Sequence, residues 1–161
     1  MNDELGRAVS SKTNKVTVLT FMFANCTDVC PIVTSKIKKA LGSIESQSEI
    51  DVHIISVDPY RDNRESRVSY MNKWNLPDNW VYLSGEQSEL DLIWDAYFIN
   101  PQKAEAANSQ KPLKSLFKER YQVIHTSPVY IIDSNGTPRV IHTNPITTED
   151  LANDISKVFK W

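Results

Sequence analysis

Two cysteines, three histidines and no long hydrophobic run limit what this 161-residue chain can be. Two cysteines cannot build a disulfide framework, and they fall short of the four Cys/His ligands that a structural zinc site takes. No apolar segment approaches the roughly 20 residues needed to cross a bilayer. No Lys/Arg run exceeds two residues and the net charge is −2, so the basic footprint of a nucleic-acid binder is missing; Lys38-Lys39 reads as a solvated helix face. Met1-Asn2-Asp3-Glu4 is polar and acidic, unlike a secretory leader. The chain as given therefore reads as soluble, with any membrane anchor lying outside it. There is no internal repeat, no low-complexity tract and no composition break that would divide two domains.

What is present is an ordinary globular composition, 40% apolar and 24% charged. It suits one domain over 1–161 that buries roughly 70% of its unfolded surface. Val16–Phe23 is a near-continuous apolar and β-branched run, the pattern of a strand buried on both faces. Pro31 suits the first turn of a helix, and Val33, Ile37, Ala40, Leu41 and Ile44 follow at helical spacing. Ile50–Val57 predicts a second strand, closed by Asp58-Pro59. A helix over Asn63–Trp74 follows, with Val68, Met71 and Trp74 as its apolar stripe. Trp80–Leu83 predicts a third strand, and Leu90, Ile93, Trp94, Tyr97 and Phe98 mark an amphipathic helix whose aromatics read as core.

Periodicity is lost over 100–122, which reads as a long loop or insertion with a helical turn near Leu113–Phe117; loops of that length are uncommon. Pro128–Asp133 and Arg139–His142 predict a hairpin about Ser134-Asn135-Gly136. Thr147-x-x-Asp150 resembles a capping box opening a last helix through Leu151, Ile155, Val158 and Phe159. Strands alternating with helices imply an α/β fold, a mixed, mostly parallel sheet with helices on both faces. In such sheets, sites collect beyond the carboxyl ends of the strands. Cys26–Cys30 follows the first strand and Asp58 the second, so both belong to one rim.

Both cysteines sit in Cys26-Thr27-Asp28-Val29-Cys30-Pro31, where a strand hands over to a helix. A helix N-terminus stabilises a nearby thiolate and lowers a thiol pKa from about 8.5 by one unit or more. Sulfurs at i and i+4 can close a disulfide in a distorted first turn, or present two soft ligands to one metal ion. Two sulfurs are an incomplete set for most metals. His53 lies mid-strand and reads as a sheet residue; His142 ends a hairpin strand and reads as exposed. His125 sits where the long loop re-enters the sheet, so it is the histidine placed to swing toward a metal at the opposite loop.

Phe21-Met22-Phe23-Ala24-Asn25-Cys26-Thr27-Asp28-Val29-Cys30-Pro31 resembles the Cys-Pro-Asp-Val-Cys-Pro signature of the Sco/SenC proteins. Ser56-Val57-Asp58-Pro59-Tyr60-Arg61-Asp62 is similar to that family's second motif. His125-x-x-x-x-Tyr130-Ile131-Ile132-Asp133, followed by Gly136, is similar to the third. The resemblance implies a thioredoxin-like fold and a copper-binding metallochaperone, rather than an enzyme, that serves copper delivery to a cytochrome c oxidase subunit or reduces the cysteines of that copper site. It implies Cu(I) or Cu(II) as the ion, Cys26, Cys30 and His125 as ligands, and Asp58 as a residue near the site or in contact with the partner. It further implies an extracytoplasmic location, periplasmic or membrane-anchored, and a monomer.

The chain departs from the family pattern at Thr27, at Phe23 where tyrosine is common, and at Pro128. Asp3-Glu4-Leu5-Gly6-Arg7 resembles the end of the family's opening hairpin, with the first strand outside the chain. Pro128 stands where thioredoxin-like oxidoreductases carry a cis-proline. A cis bond there would hold the Ser127 backbone ready to pair with a substrate chain; an ordinary trans proline opening a strand is the other reading. The rival function is thus a thiol-disulfide oxidoreductase in which Cys26 attacks, Cys30 resolves and copper is incidental. A peroxidase is a weaker match, since no Thr-x-x-Cys approach precedes the dithiol.

Overall fold

The computed structural model describes residues 1–8, 14–105 and 121–160. The elements run β1 (Thr17–Met22), α1 (Val29–Gly42), β2 (Asp51–Ser56), α2 (Arg64–Lys73), β3 (Trp80–Leu83), α3 (Gln87–Ala96), β4 (Gln102–Glu105), β5 (Tyr121–Ile124), β6 (Val129–Ile132), β7 (Pro138–His142) and α4 (Thr148–Phe159). Five strands form the central sheet in the order β3-β2-β1-β6-β7. All six residues of β1 are buried, as an unbroken apolar run at the centre of a two-sided sheet should be.

Alternation along each strand divides the core in two. Val18, Thr20 and Met22 pair with Val52, Ile54 and Ser56, and Met22 meets α1 and α2 through Thr34 and Tyr70. On that side the Thr34 and Tyr70 hydroxyls lie 2.6 Å apart, and both reach the Met22 sulfur. Leu19 and Phe21 face the other side, where Phe21, Tyr97 and Tyr130 pack ring against ring and the Trp94 Nε1–H donates to Ser56 O at 3.1 Å. Beyond α3 this face bears a cavity of about 240 Å³ whose wall includes His53. His53 is the buried sheet residue expected, and burial lowers its pKa.

The helix signals were local and hold locally. The Asn63 side chain caps α2 by accepting from Ser66 N at 2.9 Å, and Thr147 caps α4 by accepting from Asp150 N at 3.1 Å. Residues 2–4 lie along the outer edge of β3. Asn2 and Ser84 exchange backbone hydrogen bonds, and the Glu4 carboxylate accepts from Tyr82 N. That occupies an edge otherwise open to pairing.

The sheet is mixed as expected, with β6 alone of its five strands reversed: β1–β2 and β2–β3 are parallel, β1–β6 and β6–β7 antiparallel. Three expectations are revised. The 100–122 segment opens and closes on strands, because β4 and β5 pair with each other as a separate antiparallel ribbon; the helical turn near Leu113–Phe117 lies outside the described residues. Phe98 leaves the apolar stripe: α3 ends at Ala96, Phe98 adopts a positive φ of 56°, and its ring is exposed. His142 is half-buried, not free, with Nε2 3.3 Å from the Asp154 carboxylate of α4.

Candidate metal centre

The antiparallel direction of β6 builds the site. Thr20 of β1 pairs with Val129 at the start of β6, so the residues before β6 lie at the end where β1 releases the chain into the dithiol loop. Thr20 Oγ1 donates to Pro128 O at 3.0 Å across this junction. His125 and Cys26 therefore belong to neighbouring loops although 98 residues lie between them in the sequence.

Both cysteines are free thiols, Cys26 half-buried and Cys30 fully buried. The Asp28 side chain makes no cap at the start of α1. The Cys26 sulfur stands beside the Cys30 thiol and the backbone N–H groups of Asp28, Val29 and Cys30 at the start of α1, which together favour its ionised form. The Cys30 hydrogen bond is the largest contribution, and together they outweigh partial burial and bring the Cys26 pKa down to about 6. Cys30 moves the other way, pushed well above the ordinary thiol range by the hydrogen bond it gives Cys26 and then by burial. The pair is one thiolate and one thiol sharing a proton. Native protein titrated with iodoacetamide is expected to alkylate at Cys26 alone, with a rate half-maximal near pH 6 and level by pH 8; mass spectrometry locates the adduct. A midpoint near 8.5, the value of an unassisted thiol, contradicts this arrangement.

His125 is partly buried, and burial lowers its pKa despite the opposing hydrogen bond to Thr126. Its Nδ1 lies 2.7 Å from Thr126 O. A carbonyl only accepts, so Nδ1 carries the proton and Nε2 presents its lone pair, the form that ligates metals. The ring touches the dithiol loop through Phe23: the two ring centroids are 6.0 Å apart at 67°. Phe23 O in turn accepts from Cys26 N at 3.1 Å. Among the described residues, no three His, Cys, Asp or Glu side chains already form a group that could hold a metal ion. Cys26, Cys30 and His125 are thus neighbours across Phe23 rather than a closed ligand set.

Asp58 is fully buried, and Arg61 Nε and the Tyr121 hydroxyl both donate to its carboxylate; it offers no surface to a partner, which leaves the other expectation, a place near the site. Pro128 is buried, and its bond to Ser127 is trans, the cis peptide among the described residues being Asn144–Pro145. The exposed substrate-docking edge expected from a cis-proline is not formed there.

Asp62 was visible in the second motif but received no role. It is buried and accepts from Ala24 N at 2.9 Å, Ser56 Oγ at 2.7 Å and Tyr82 OH at 2.9 Å. It therefore pins the start of the dithiol loop to β2 and β3. Burial raises its pKa to about 6 against the lowering effect of those hydrogen bonds. An aspartate six residues after a strand gives no sequence sign of such a role.

The sheet thus presents the Cys26/Cys30 pair at the N-terminus of α1, with the His125 imidazole on the neighbouring loop. The SCO1/SenC family model matches residues 2–160, and the chain belongs to that family. The SCO1 protein homolog of Bacillus subtilis is 29% identical over 133 residues, covering 80% of this chain and 62% of that protein. The structure of Arabidopsis thaliana ScoI with copper bound superposes with a TM-score of 0.83 at 22% identity, covering 99% of this chain and 94% of that one. A SCO1/SenC family lipoprotein from Bacillus anthracis gives 0.75 at 24% identity, covering 98% and 90%. The chain spans little more than half the length of the first curated relatives it matches.

Proposed function

We propose that this chain is a copper-binding assembly factor of the Sco/SenC type, which carries copper to an acceptor protein such as a cytochrome c oxidase subunit. The observation that carries this reading is the free Cys26/Cys30 pair at the start of α1 with the Nε2 lone pair of His125 on the neighbouring loop. Thiolates are soft and suit Cu(I); imidazole accepts either oxidation state. Copper is the cargo. Cys26 and Cys30 receive Cu(I) in place of the proton they share, and His125 closes the set by swinging past Phe23. Two sulfurs and one nitrogen leave room for an acceptor's ligand, so the ion can leave through a mixed-ligand complex.

The surroundings suit a protein acceptor. Ile32 after the dithiol, Tyr60 after β2 and Ile124 beside His125 are exposed apolar side chains on the segments that flank the site. By family, the chain works outside the cytoplasm and as a monomer; among the described residues, no helix is long and apolar enough to cross a membrane. The oxidoreductase alternative is not favoured, because Pro128 is buried and trans.

Titration of the reduced protein with Cu(I) against a chromophoric chelator tests the proposal. One ion binds per chain, releasing about one proton at pH 7, since Cys26 is already ionised and Cys30 is not. His125→Ala weakens Cu(II) by about 10-fold or more and Cu(I) by much less, because the two thiolates suffice for the softer ion. Absence of stoichiometric Cu(I) binding refutes the assignment.

A further inference from the structure

Arg61 joins three segments that the sequence keeps far apart. Its Nε donates to Asp58 in the loop after β2, and its Nη1 donates to Tyr121 O, the first residue of β5, at 2.8 Å. Its guanidinium carbon lies 3.7 Å from the Tyr121 ring centroid and 5.5 Å from that of Phe23 in the dithiol loop. The Tyr121 hydroxyl closes the circuit on the second oxygen of Asp58. The base of the clamp is itself fixed. Asp58 N donates to Ser56 Oγ, Ser56 Oγ donates to Asp62, and Asp58 O accepts from the backbone of Arg61 and Asp62.

β5 depends on this clamp. Among the described residues its ladder partner is β4 alone, and a two-stranded ribbon is marginally stable by itself. Apart from that ladder, the hydrogen bonds described between β5 and the rest of the chain run from Tyr121 to Arg61 and Asp58. Buried Val123 adds an apolar contact. His125 follows β5 directly, so where β5 starts sets where the imidazole arrives. Arg61 Nη2 is buried without a hydrogen bond, a cost offset by the contacts of the other two nitrogens and the stacking on the ring faces.

We propose that Arg61 is a positioning residue: by clamping Tyr121 of β5 to Asp58 and to the dithiol loop at Phe23, it sets the reach of His125 toward Cys26 and Cys30 and so controls the retention of Cu(II), not the capture of Cu(I). The inference rests on the copper reading above and names what regulates the third ligand. A lysine keeps the charge but has neither the fork that bridges Asp58 and Tyr121 O nor the plane that stacks.

The test compares wild type, R61Q, R61K and Y121F by Cu(I) and Cu(II) competition titration, by the thiolate-to-Cu(II) absorption band, and, without copper, by the Phe23–His125 ring NOE and amide exchange at Val123 and Ile124. R61Q and R61K are expected to lose about 10-fold or more in Cu(II) affinity and to shift the absorption band. Both hold Cu(I) within about twofold, lose the NOE and speed β5 exchange. Y121F, which removes only the hydroxyl bond, shows the same changes to a smaller degree. Far-UV circular dichroism identifies any unfolded variant, and Y121F then carries the test. Wild-type behaviour of R61K, or equal losses for Cu(I) and Cu(II), overturns the proposal. If wild type binds no copper, the copper reading has failed, and an unchanged NOE and β5 exchange in R61Q rejects the clamp on its own account.

Discussion

Replacing Cys30 with serine is expected to lower Cu(I) affinity by about three powers of ten, roughly 4 kcal/mol of binding free energy, and Cys26→Ser by as much. A serine hydroxyl is a hard, neutral donor, so each variant leaves one soft ligand where Cu(I) needs two. Alkylation supplies a second readout that a merely destabilising change would not reproduce. Cys30→Ala, unlike the serine variant, leaves no side-chain donor beside the Cys26 sulfur and so deletes the first cause of its lowered pKa. The Cys26 alkylation midpoint then rises above 6 while the residue stays accessible. Cys26→Ser leaves a buried Cys30 thiol that alkylates slowly at every pH. Chelator competition gives the affinities and mass spectrometry the alkylation profiles. Cu(I) affinity within tenfold of wild type in either serine variant eliminates the two-thiolate site.

Asp62→Ala is expected to cost about 3 kcal/mol of folding stability or more, because Ala24 N, Ser56 Oγ and Tyr82 OH lose their acceptor inside the protein. For a chain of this length that lowers the melting midpoint by about 6–12 °C. The loss falls on the dithiol loop, since Ala24 is its tie to the sheet. A pH series isolates the charge of the same residue. Asp62 has a folded pKa near 6, above its reference value of 3.8, so ionisation opposes folding. The penalty is absent below the reference value, grows as pH rises, and is complete above the folded value. Denaturant midpoints for wild type and Asp62→Asn are expected to separate progressively in favour of the asparagine between pH 4 and 6.5, then run parallel. Curves parallel throughout contradict a carboxyl held high by burial.

Much of this molecule is legible in the order of its residues. A continuous β-branched run such as Val16–Phe23 can satisfy its burial only between two helical layers, and short-range chemistry fixes helix ends such as Asn63 and Thr147. The i, i+4 cysteines at a strand-to-helix turn, with the two later motifs, point to the family. The tertiary structure decided the rest, because it concerns contacts between segments with no shared periodicity. The direction of β6 beside β1 brings His125 to the dithiol rim. The pairing of β4 with β5 gives form to the ends of a segment that reads as loop. The burial of Asp58 and Asp62, invisible in a polar motif, turns one into a clamp through Arg61 and Tyr121 and the other into an anchor for Ala24. Sequence spacing fixes which groups are available; only the folded chain fixes the dielectric and the partners around each, and these set whether a sulfur is a thiolate, a carboxylate is reachable, or an imidazole is in place.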